Sequence, residues 1–220
     1  DFQAGFIGKV RIAPPAVELT YTGSRSITVD QSATAINLIM TGIGSDNETL
    51  RYPYTQYETV GDFERAVASI PGIQVTVRAP ASYPLAALFT DSGSIARLSA
   101  HPYRFHYIPD GSAGISSDEI RQAISRFPSA AVQVLGRPEN QAFQIRLRDD
   151  GSDPNASMNL RDGLAEALSA AFGEENIVLI STDFVGSQFS KTLASQAVWL
   201  VLGTLVLIMA YATIRFRWDF

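Results

Sequence analysis

The feature that most constrains this chain is the apolar stretch from Thr192 to Ile214, which contains no charged side chain. As an α-helix with a rise of 1.5 Å per residue it would be roughly 35 Å long, enough to cross the hydrocarbon core of a bilayer. A soluble helix that is apolar on every face would need a much larger protein around it. The sequence therefore predicts one transmembrane helix and its exit within residues 187–220.

Charged residues at the two ends of this stretch predict its orientation. Lys191 precedes it, whereas Arg215 and Arg217 follow it. Because basic residues favour the cytoplasmic side, we expect residues 1–190 to be extracytoplasmic and the C-terminal end to be cytoplasmic. The aromatic residues Phe216 and Trp218 at the exit suit the head-group region.

Charge and composition exclude several classes of function. The chain has 17 basic and 22 acidic residues and a net charge of -5, which argues against a nucleic-acid partner. It has no cysteine and two histidines, so a disulfide framework, a thiolate nucleophile and most metal sites are excluded. We expect no catalytic residue, no metal and no cofactor.

The second half of the soluble part shows alternating helix and strand signals. Ser116 and Glu119 have the spacing of a capping box, and a helix of about three turns should follow and end before Pro128. The later signals predict strands at 130–135 and 142–147, a helix at 160–172 that Gly173 ends, and a strand at 176–184.

One more strand before this series would complete a ferredoxin-like βαββαβ pattern in an α+β fold. Two segments could supply it, residues 6–12 and residues 103–108, and the sequence does not choose between them. We assign residues 1–14 to the first strand region and 103–186 to the ferredoxin-like core.

Residues 15–102 have the pattern of a strand-rich insert with one short helix. Thr59 and Asp62 resemble a capping box at the start of that helix. The predicted strands are 17–22, 26–30, 35–40 and 73–77. We hypothesise that this insert is a docking surface.

Three patterns with possible chemistry favour ordinary structure instead. His101 and His106 have no cysteine or carboxylate cluster beside them in the sequence, which disfavours a metal site. Ser112 lacks the spacing of a nucleophile elbow. Residues 149–155 imitate the start of a calcium loop, but Leu160 occupies the position of the bidentate glutamate, so a solvated loop is favoured.

Three separated patches resemble the SecF family of protein-export membrane proteins. In that family a G-I-D-F-x-G-G motif follows the first membrane helix, V-G-P-x-x-G leads into the second, and R-F-x-W-x-F follows it. The matching patches here are Asp1-Phe2-Gln3-Ala4-Gly5, Asp183-Phe184-Val185-Gly186-Ser187-Gln188-Phe189-Ser190 and Arg215-Phe216-Arg217-Trp218-Asp219-Phe220. Ala4, Ser187 and Ser190 stand where the family has glycine, proline and glycine.

The resemblance implies a non-enzymatic accessory subunit of the Sec protein translocase, which uses the proton gradient to help export preproteins across the bacterial cytoplasmic membrane. The implied partners are a SecD-like subunit, the Sec translocon channel, the unfolded preprotein and the lipid bilayer. It also implies that the chain, which starts at Asp1 without a methionine, is a piece of a longer multi-pass protein.

Gln196, Gly203 and Ala210 fall seven residues apart on one face of the apolar helix. Small or polar side chains allow close packing, so this stripe is a candidate contact with a neighbouring helix. The alternative to a translocase subunit is a single-pass membrane-anchored scaffold or adhesion protein whose extracytoplasmic domain binds a partner.

Overall fold

The computed structural model describes residues 5–42, 47–91, 96–111, 114–149, 153, 155–185 and 187–215. It contains three antiparallel sheets and four α-helices in these parts of the chain. The fold is therefore mixed, with both helices and sheets, and ends in one long helix.

Sheet I is formed by segments from both ends of the soluble part. Its four strands are β1 (Gly5–Ile12), β9 (Ala131–Val134), β10 (Ala142–Arg148) and β11 (Ile177–Val185). The strand order is β11-β1-β10-β9, with every neighbouring pair antiparallel. With α2 (Ser117–Ala123) and α3 (Ala156–Phe172), the element order is β-α-β-β-α-β around a long interruption.

The interruption between β1 and α2 forms the other two sheets. Sheet II has the order β6-β2-β8 and sheet III the order β5-β4-β3-β7. Their elements are β2 (Pro15–Tyr21), β3 (Ser26–Gln31), β4 (Ala35–Thr41), β5 (Glu48–Pro53), α1 (Val60–Val67), β6 (Ile73–Val77), β7 (Ala96–Arg97) and β8 (Tyr103–His106). We call residues 15–106 the insert unit, and sheet I with α2 and α3 the core unit.

Each unit has its own hydrophobic core. In the core unit, Phe6, Phe143 and Leu168 lie among the buried residues between sheet I and its two helices. In the insert unit, Phe63 and Phe105 lie in a cluster that reaches from Ala16 to Phe105. The two clusters share no residue, because each alternating strand buries its apolar face within its own unit.

The structure decides between the two candidate first strands. Residues 5–12 form β1 in the middle of sheet I, whereas residues 103–106 form β8, which pairs with β2. The strands of the insert therefore continue beyond residue 102 as far as His106. The two segments have equally good local strand patterns, and only their long-range pairing distinguishes them.

Each predicted helix and strand corresponds to an observed one, although α2 is shorter and α3 longer than expected and the strands β5 and β7 were not predicted. The helix α2 ends at Ala123 instead of reaching Phe127, because Ser125 and Phe127 donate to carbonyls three residues back and form turns before Pro128. The strand β5 was missed; its alternation of Leu50 and Tyr52 was the available signal.

The last helix is α4 (Ser187–Arg215). Among the described residues it is the one helix long and apolar enough to cross a membrane, with an 18-residue window at Gln196–Thr213 of mean hydropathy 1.8 and no burial. This agrees with the predicted span at 192–214.

Candidate functional site

The strand that leads into α4 pairs with the first described strand of the chain. Gly5 lies opposite Val185, Phe6 opposite Phe184 and Ile7 opposite Asp183. Gly5 of the first family-like motif and Val185 of the second, 180 residues apart in sequence, therefore meet at the end of sheet I that leads to α4.

Gly5 occupies a position that a larger residue would not fit. It pairs with Val185 on one side and Arg148 on the other. A Cβ atom at Gly5 would overlap the carbonyl oxygen of Leu147, which is backbone and cannot move aside. The lack of a side chain is what allows β1 to lie this close to β10.

Several of the predicted motif residues lie outside the described residues. These are Asp1, Phe2, Gly186, Phe216 and Trp218. Of the others, Asp183 is an exposed residue of β11, the backbone of Val185 ends β11, and Arg215 is the last residue of α4. The structure thus brings Gly5, Asp183 and Val185 together and leaves Arg215 at the far end of α4.

The side chains of α4 from Gln196 to Thr213 contact almost nothing else in the chain. Its two threonine hydroxyl groups are satisfied within the helix, because Thr204 donates to the carbonyl of Leu200 and Thr213 to that of Met209, each at 2.8 Å. Internal hydrogen bonding of this kind suits a helix surrounded by lipid.

The three residues predicted to form a packing stripe are exposed along α4. Gln196, Gly203 and Ala210 all face away from the rest of the chain, and an added Cβ at Gly203 would meet nothing within 4 Å. The stripe is therefore open to a neighbouring helix, and its packing role stays a prediction.

His106 is a buried polar residue at the junction of the two units. Its side chain is 3% exposed, and its Nδ1 lies 2.9 Å from the carbonyl oxygen of Ala13, which connects β1 to β2. Burial lowers the pKa of His106 from its ordinary value, although the bond to Ala13 opposes this. The imidazole ring also stacks on Phe89, with 6.2 Å between ring centroids.

Three other contacts stabilise the same junction. The guanidinium carbon of Arg11 lies 4.2 Å from the centroid of the Phe89 ring, and the Leu179 amide donates to Asp91 Oδ1 at 2.7 Å. The Ala13 amide donates to the carbonyl of Asn176 at 2.8 Å. Sequence analysis did not identify this junction, because its partners are distant along the chain.

A cleft of about 390 Å³ opens beside this junction. One wall comes from the insert unit and includes Tyr103, Arg104 and His106; the other comes from α3 and the turn before β11 and includes Ser169. Its acidic residues are Asp91, Glu166, Glu174 and Glu175.

Arg104 forms an ion pair with Glu18 on the neighbouring strand, and Arg78 shares the same carboxylate. Arg104 Nε and Arg78 Nη2 each lie 3.1 Å from a different carboxylate oxygen of Glu18. Burial alone would raise the pKa of Glu18, but the hydrogen bonds from Arg104 and Arg78 outweigh it and hold that pKa below its ordinary value. Glu18 therefore stays ionised at neutral pH.

Among the described residues, no group of three or more His, Asp or Glu side chains is arranged to hold a metal ion. His101 is exposed and separate from His106. In the segment that resembles a calcium loop, Asp153 accepts hydrogen bonds from the Asn155 amide at 2.8 Å and the Asn159 side chain at 2.6 Å. Its carboxylate is used to order the start of α3.

Comparisons with known proteins connect this architecture to protein export. The model of the family "Protein export membrane protein SecD/SecF, C-terminal" matches residues 165–220, which include the end of α3, β11 and α4. A protein translocase subunit SecF from Treponema pallidum is 32% identical over 241 aligned positions, which cover 100% of this chain and 57% of that protein. That alignment includes the insert unit.

Two further relatives named protein translocase subunit SecF match shorter parts. The one from Borreliella burgdorferi is 28% identical over 49% of this chain and 37% of its own length, and the one from Magnetococcus marinus is 29% identical over 46% and 32%. No solved structure matches. The chain thus spans little more than half the length of the Treponema relative. With the matched strand-to-helix segment and the alignment along the entire chain, the protein belongs to the SecF family of protein-export membrane proteins.

Proposed function

We propose that the parent protein is an accessory subunit of the Sec protein translocase and assists proton-gradient-driven export of preproteins across the cytoplasmic membrane. The observation that carries this proposal is the alignment of the entire chain with a SecF protein. It is supported by the pairing of Gly5, from the first family-like motif, with Val185, from the second.

We propose that the core unit is a ferredoxin-like domain. The order of its elements, β-α-β-β-α-β, supports this assignment, as does a four-stranded sheet in which the first strand lies between the third and fourth. In this division of the chain, residues 15–106 form a separate strand-rich insert between the first strand and the first helix.

The proposed topology puts residues 1–190 outside the cytoplasm of a bacterial cell and Arg215 at the cytoplasmic side of the inner membrane. Arg215 and Arg217 after the span support this orientation. The proposed partners are a SecD-like subunit, the Sec translocon channel, the unfolded preprotein and the bilayer around α4.

We propose a mechanical role and no chemistry on the substrate. Between Lys191 and Arg215 the chain has no ionisable side chain of the Asp, Glu, His, Lys or Arg type. A proton path across a membrane needs such groups, so any coupling to the proton gradient must use other helices of the complex. In this role α4 connects the extracytoplasmic domain to the membrane and packs against a neighbouring helix.

The proposal is tested by replacing the native full-length protein in cells with tagged variants. Gly203→Leu puts a bulky side chain on the stripe, whereas Ala212→Leu makes a similar change two residues beyond Ala210, on the opposite face of the helix. We expect Gly203→Leu to reduce recovery of a SecD-like protein from gently solubilised membranes and to slow signal-peptide processing in pulse-chase labelling. Ala212→Leu should leave both unchanged.

The alternative, a membrane-anchored scaffold, predicts a different result from the wild-type protein. The translocase proposal is wrong if two results are found together. The wild-type protein is recovered alone or only with other envelope proteins, and its depletion leaves preprotein processing at the normal rate.

A further inference from the structure

The two helices of the core unit pack against one face of sheet I. Phe6, Phe143 and the other core residues of the sheet point towards α2 and α3. Side chains alternate along a strand, so the residues between them point to the opposite face, which we call the open face. Its charged residues in the described part of the chain are Lys9, Arg11, Arg146, Arg148 and Asp183. Four of these five side chains are basic.

The positive charge of the open face is not balanced within the described chain. None of its four basic residues forms an ion pair there. Arg146 donates from Nε to the amide oxygen of Gln144 at 2.9 Å, in the amide orientation that satisfies both groups, and this bond is neutral on the acceptor side. Asp183 is opposite Ile7, which separates it from Arg146 by two strand spacings, roughly 10 Å at the backbone. The face is thus positive although the chain has a net charge of -5.

Arg11 adds a second, independent feature. It is partly buried, and its guanidinium lies over Phe89 where the insert unit meets the open face. Its Nε is buried without a hydrogen-bond partner, and its terminal nitrogens bond to none of the described residues. Arginine keeps its charge in proteins, and a desolvated charged donor without an acceptor is costly. An acceptor from another molecule that reaches the terminal nitrogens would compensate this charge.

The spacing of these cations fits several separate carboxylates better than one small anion. Lys9 and Arg11 are two residues apart on β1, which separates their Cα atoms by roughly 7 Å. Lys9 and Arg146 are diagonal neighbours on paired strands at a similar distance. A phosphate-sized ion reaches one such position, whereas the aspartate and glutamate side chains of a polypeptide can each meet a different cation.

An anionic membrane surface fits the open face less well. Arg148 is at the end of sheet I that leads to α4, but Asp149 and Asp153 follow it and would be repelled by anionic head groups. Arg11 is six residues further along β1 than Gly5, roughly 20 Å away, whereas the head-group layer is only about 5–8 Å thick. The charge that lacks an acceptor is therefore beyond the reach of lipid at that end.

We propose that the open face of sheet I binds an acidic segment of another protein. Carboxylates of that segment pair with Lys9, Arg146 and Arg148, and one of them accepts from the terminal nitrogens of Arg11. The proposal concerns binding alone and stands independently of a role in export.

The test uses the full-length protein in phosphatidylcholine nanodiscs and a rhodamine-labelled peptide of alternating glutamate and threonine, read by fluorescence anisotropy at about 150 mM salt, where long-range attraction is screened. An exposed charge contact changes affinity by roughly two- to fivefold. The double variant Lys9→Gln/Arg146→Gln should therefore bind the peptide about tenfold more weakly. The matched variant Arg51→Gln/Arg97→Gln has the same net charge but changes exposed residues of the insert unit and should bind normally.

Arg11→Lys separates a specific contact from general attraction by charge. The variant keeps the positive charge but loses the planar guanidinium, whose paired N–H groups fit a carboxylate. We expect it to bind the peptide roughly three- to tenfold more weakly. Unchanged affinity would show that only the net charge of the face matters, and the proposed contact at Arg11 would be wrong.

Cross-linking locates the peptide. The chain has no cysteine, so a photoreactive label can be placed in a full-length protein without other cysteines. Gln133→Cys puts it on β9, opposite Gln144 of the open face, and Ser157→Cys puts it on α3, which packs against the other face. We expect the peptide to cross-link at position 133 and not at 157.

Three results would overturn the proposal. The first is equal weakening of peptide binding by the two double variants, and the second is equal cross-linking at positions 133 and 157. The third is the absence of peptide binding together with retention of phosphatidylglycerol, seen by native mass spectrometry, in the wild-type protein but not in Lys9→Gln/Arg146→Gln. That last result would assign the open face to lipid.

Discussion

At the scale of single residues, the position of Gly5 shows how one missing side chain lets distant segments meet. The backbone of β1 lies between β10 and β11 at this point, and the Leu147 carbonyl fills the space where a Cβ atom would project. An added methyl group would push β1 away from β10 at the end of the sheet that leads into α4.

Gly5→Ala should therefore lower the free energy of unfolding of the core unit by about 1–3 kcal/mol, the usual cost of overpacking a fixed site. The measurement is amide hydrogen exchange of β1 and β10 in the full-length protein. Gly203→Ala is the control, since an added Cβ there meets nothing within 4 Å. Unchanged exchange in Gly5→Ala would show that β10 can move aside without cost.

His106 should make the junction of the two units sensitive to acid. Burial lowers the pKa of His106 in the folded state, whereas the unfolded state keeps the ordinary value of about 6.5. As the pH falls below that value, the unfolded state therefore binds a proton before the folded state does. The stabilisation by neutral His106 is complete above that pH and is lost as the pH falls towards the folded-state pKa.

Hydrogen exchange of residues 11–17, corrected for intrinsic rates, should therefore become faster between pH 7 and pH 5.5. In His106→Asn the amide can still donate to Ala13 but does not titrate, so this pH dependence should disappear. His101→Asn alters an exposed histidine and should behave like the wild-type protein. The same acid response in His106→Asn would assign it to another group.

At the scale of elements, local sequence signals predicted the starts of two helices. Both expected capping boxes are present: Ser116 with Glu119 at α2, and Thr59 with Asp62 at α1. The backbone and hydroxyl donors of Ser116 lower the pKa of Glu119, and those of Thr59 lower that of Asp62. Capping depends on residues three apart, so the sequence shows it directly.

Ser116→Ala removes the hydroxyl that accepts from the Glu119 amide and should cost about 1 kcal/mol in the free energy of unfolding of the core unit. Ser117→Ala changes the next serine, the first residue inside α2, and should cost much less. Denaturant unfolding followed by exchange of the α2 amides distinguishes them. Equal losses in the two variants would mean that the cap contributes nothing beyond helix propensity.

Pairing between distant elements could not be predicted in the same way. Residues 6–12 and 103–108 both have strand patterns, and only long-range register assigns the first to sheet I and the second to sheet II. The same limit applies to the cleft, because Glu174 and Glu175 have the sequence of an ordinary acidic turn, and only the fold brings β8 beside them. For the candidate site, the sequence alone predicted the membrane-spanning helix and the three family-like motifs.

At the scale of the whole molecule, the two cores predict that the insert unit can be removed without unfolding the core unit. No residue of the core-unit cluster comes from 15–106. The ends of the insert are also close together, because the Tyr107 amide donates to the Pro14 carbonyl at 3.3 Å. A two-residue Asn-Gly turn is a natural connection between such antiparallel neighbours.

A full-length variant with residues 15–106 replaced by Asn-Gly should therefore keep slow hydrogen exchange in β1, β10 and β11, while exchange near Leu179 should rise because Asp91 is lost. The contrasting deletion removes residues 131–148, which contribute Phe143, Ile145 and Leu147 to the core-unit cluster, and should expose the whole of sheet I. If loss of the insert also exposes β10, the units fold as one, and the two clusters are halves of a single cooperative core. If sheet I persists, any loss of partner recovery in this variant is caused by the missing insert unit and not by unfolding of the core unit.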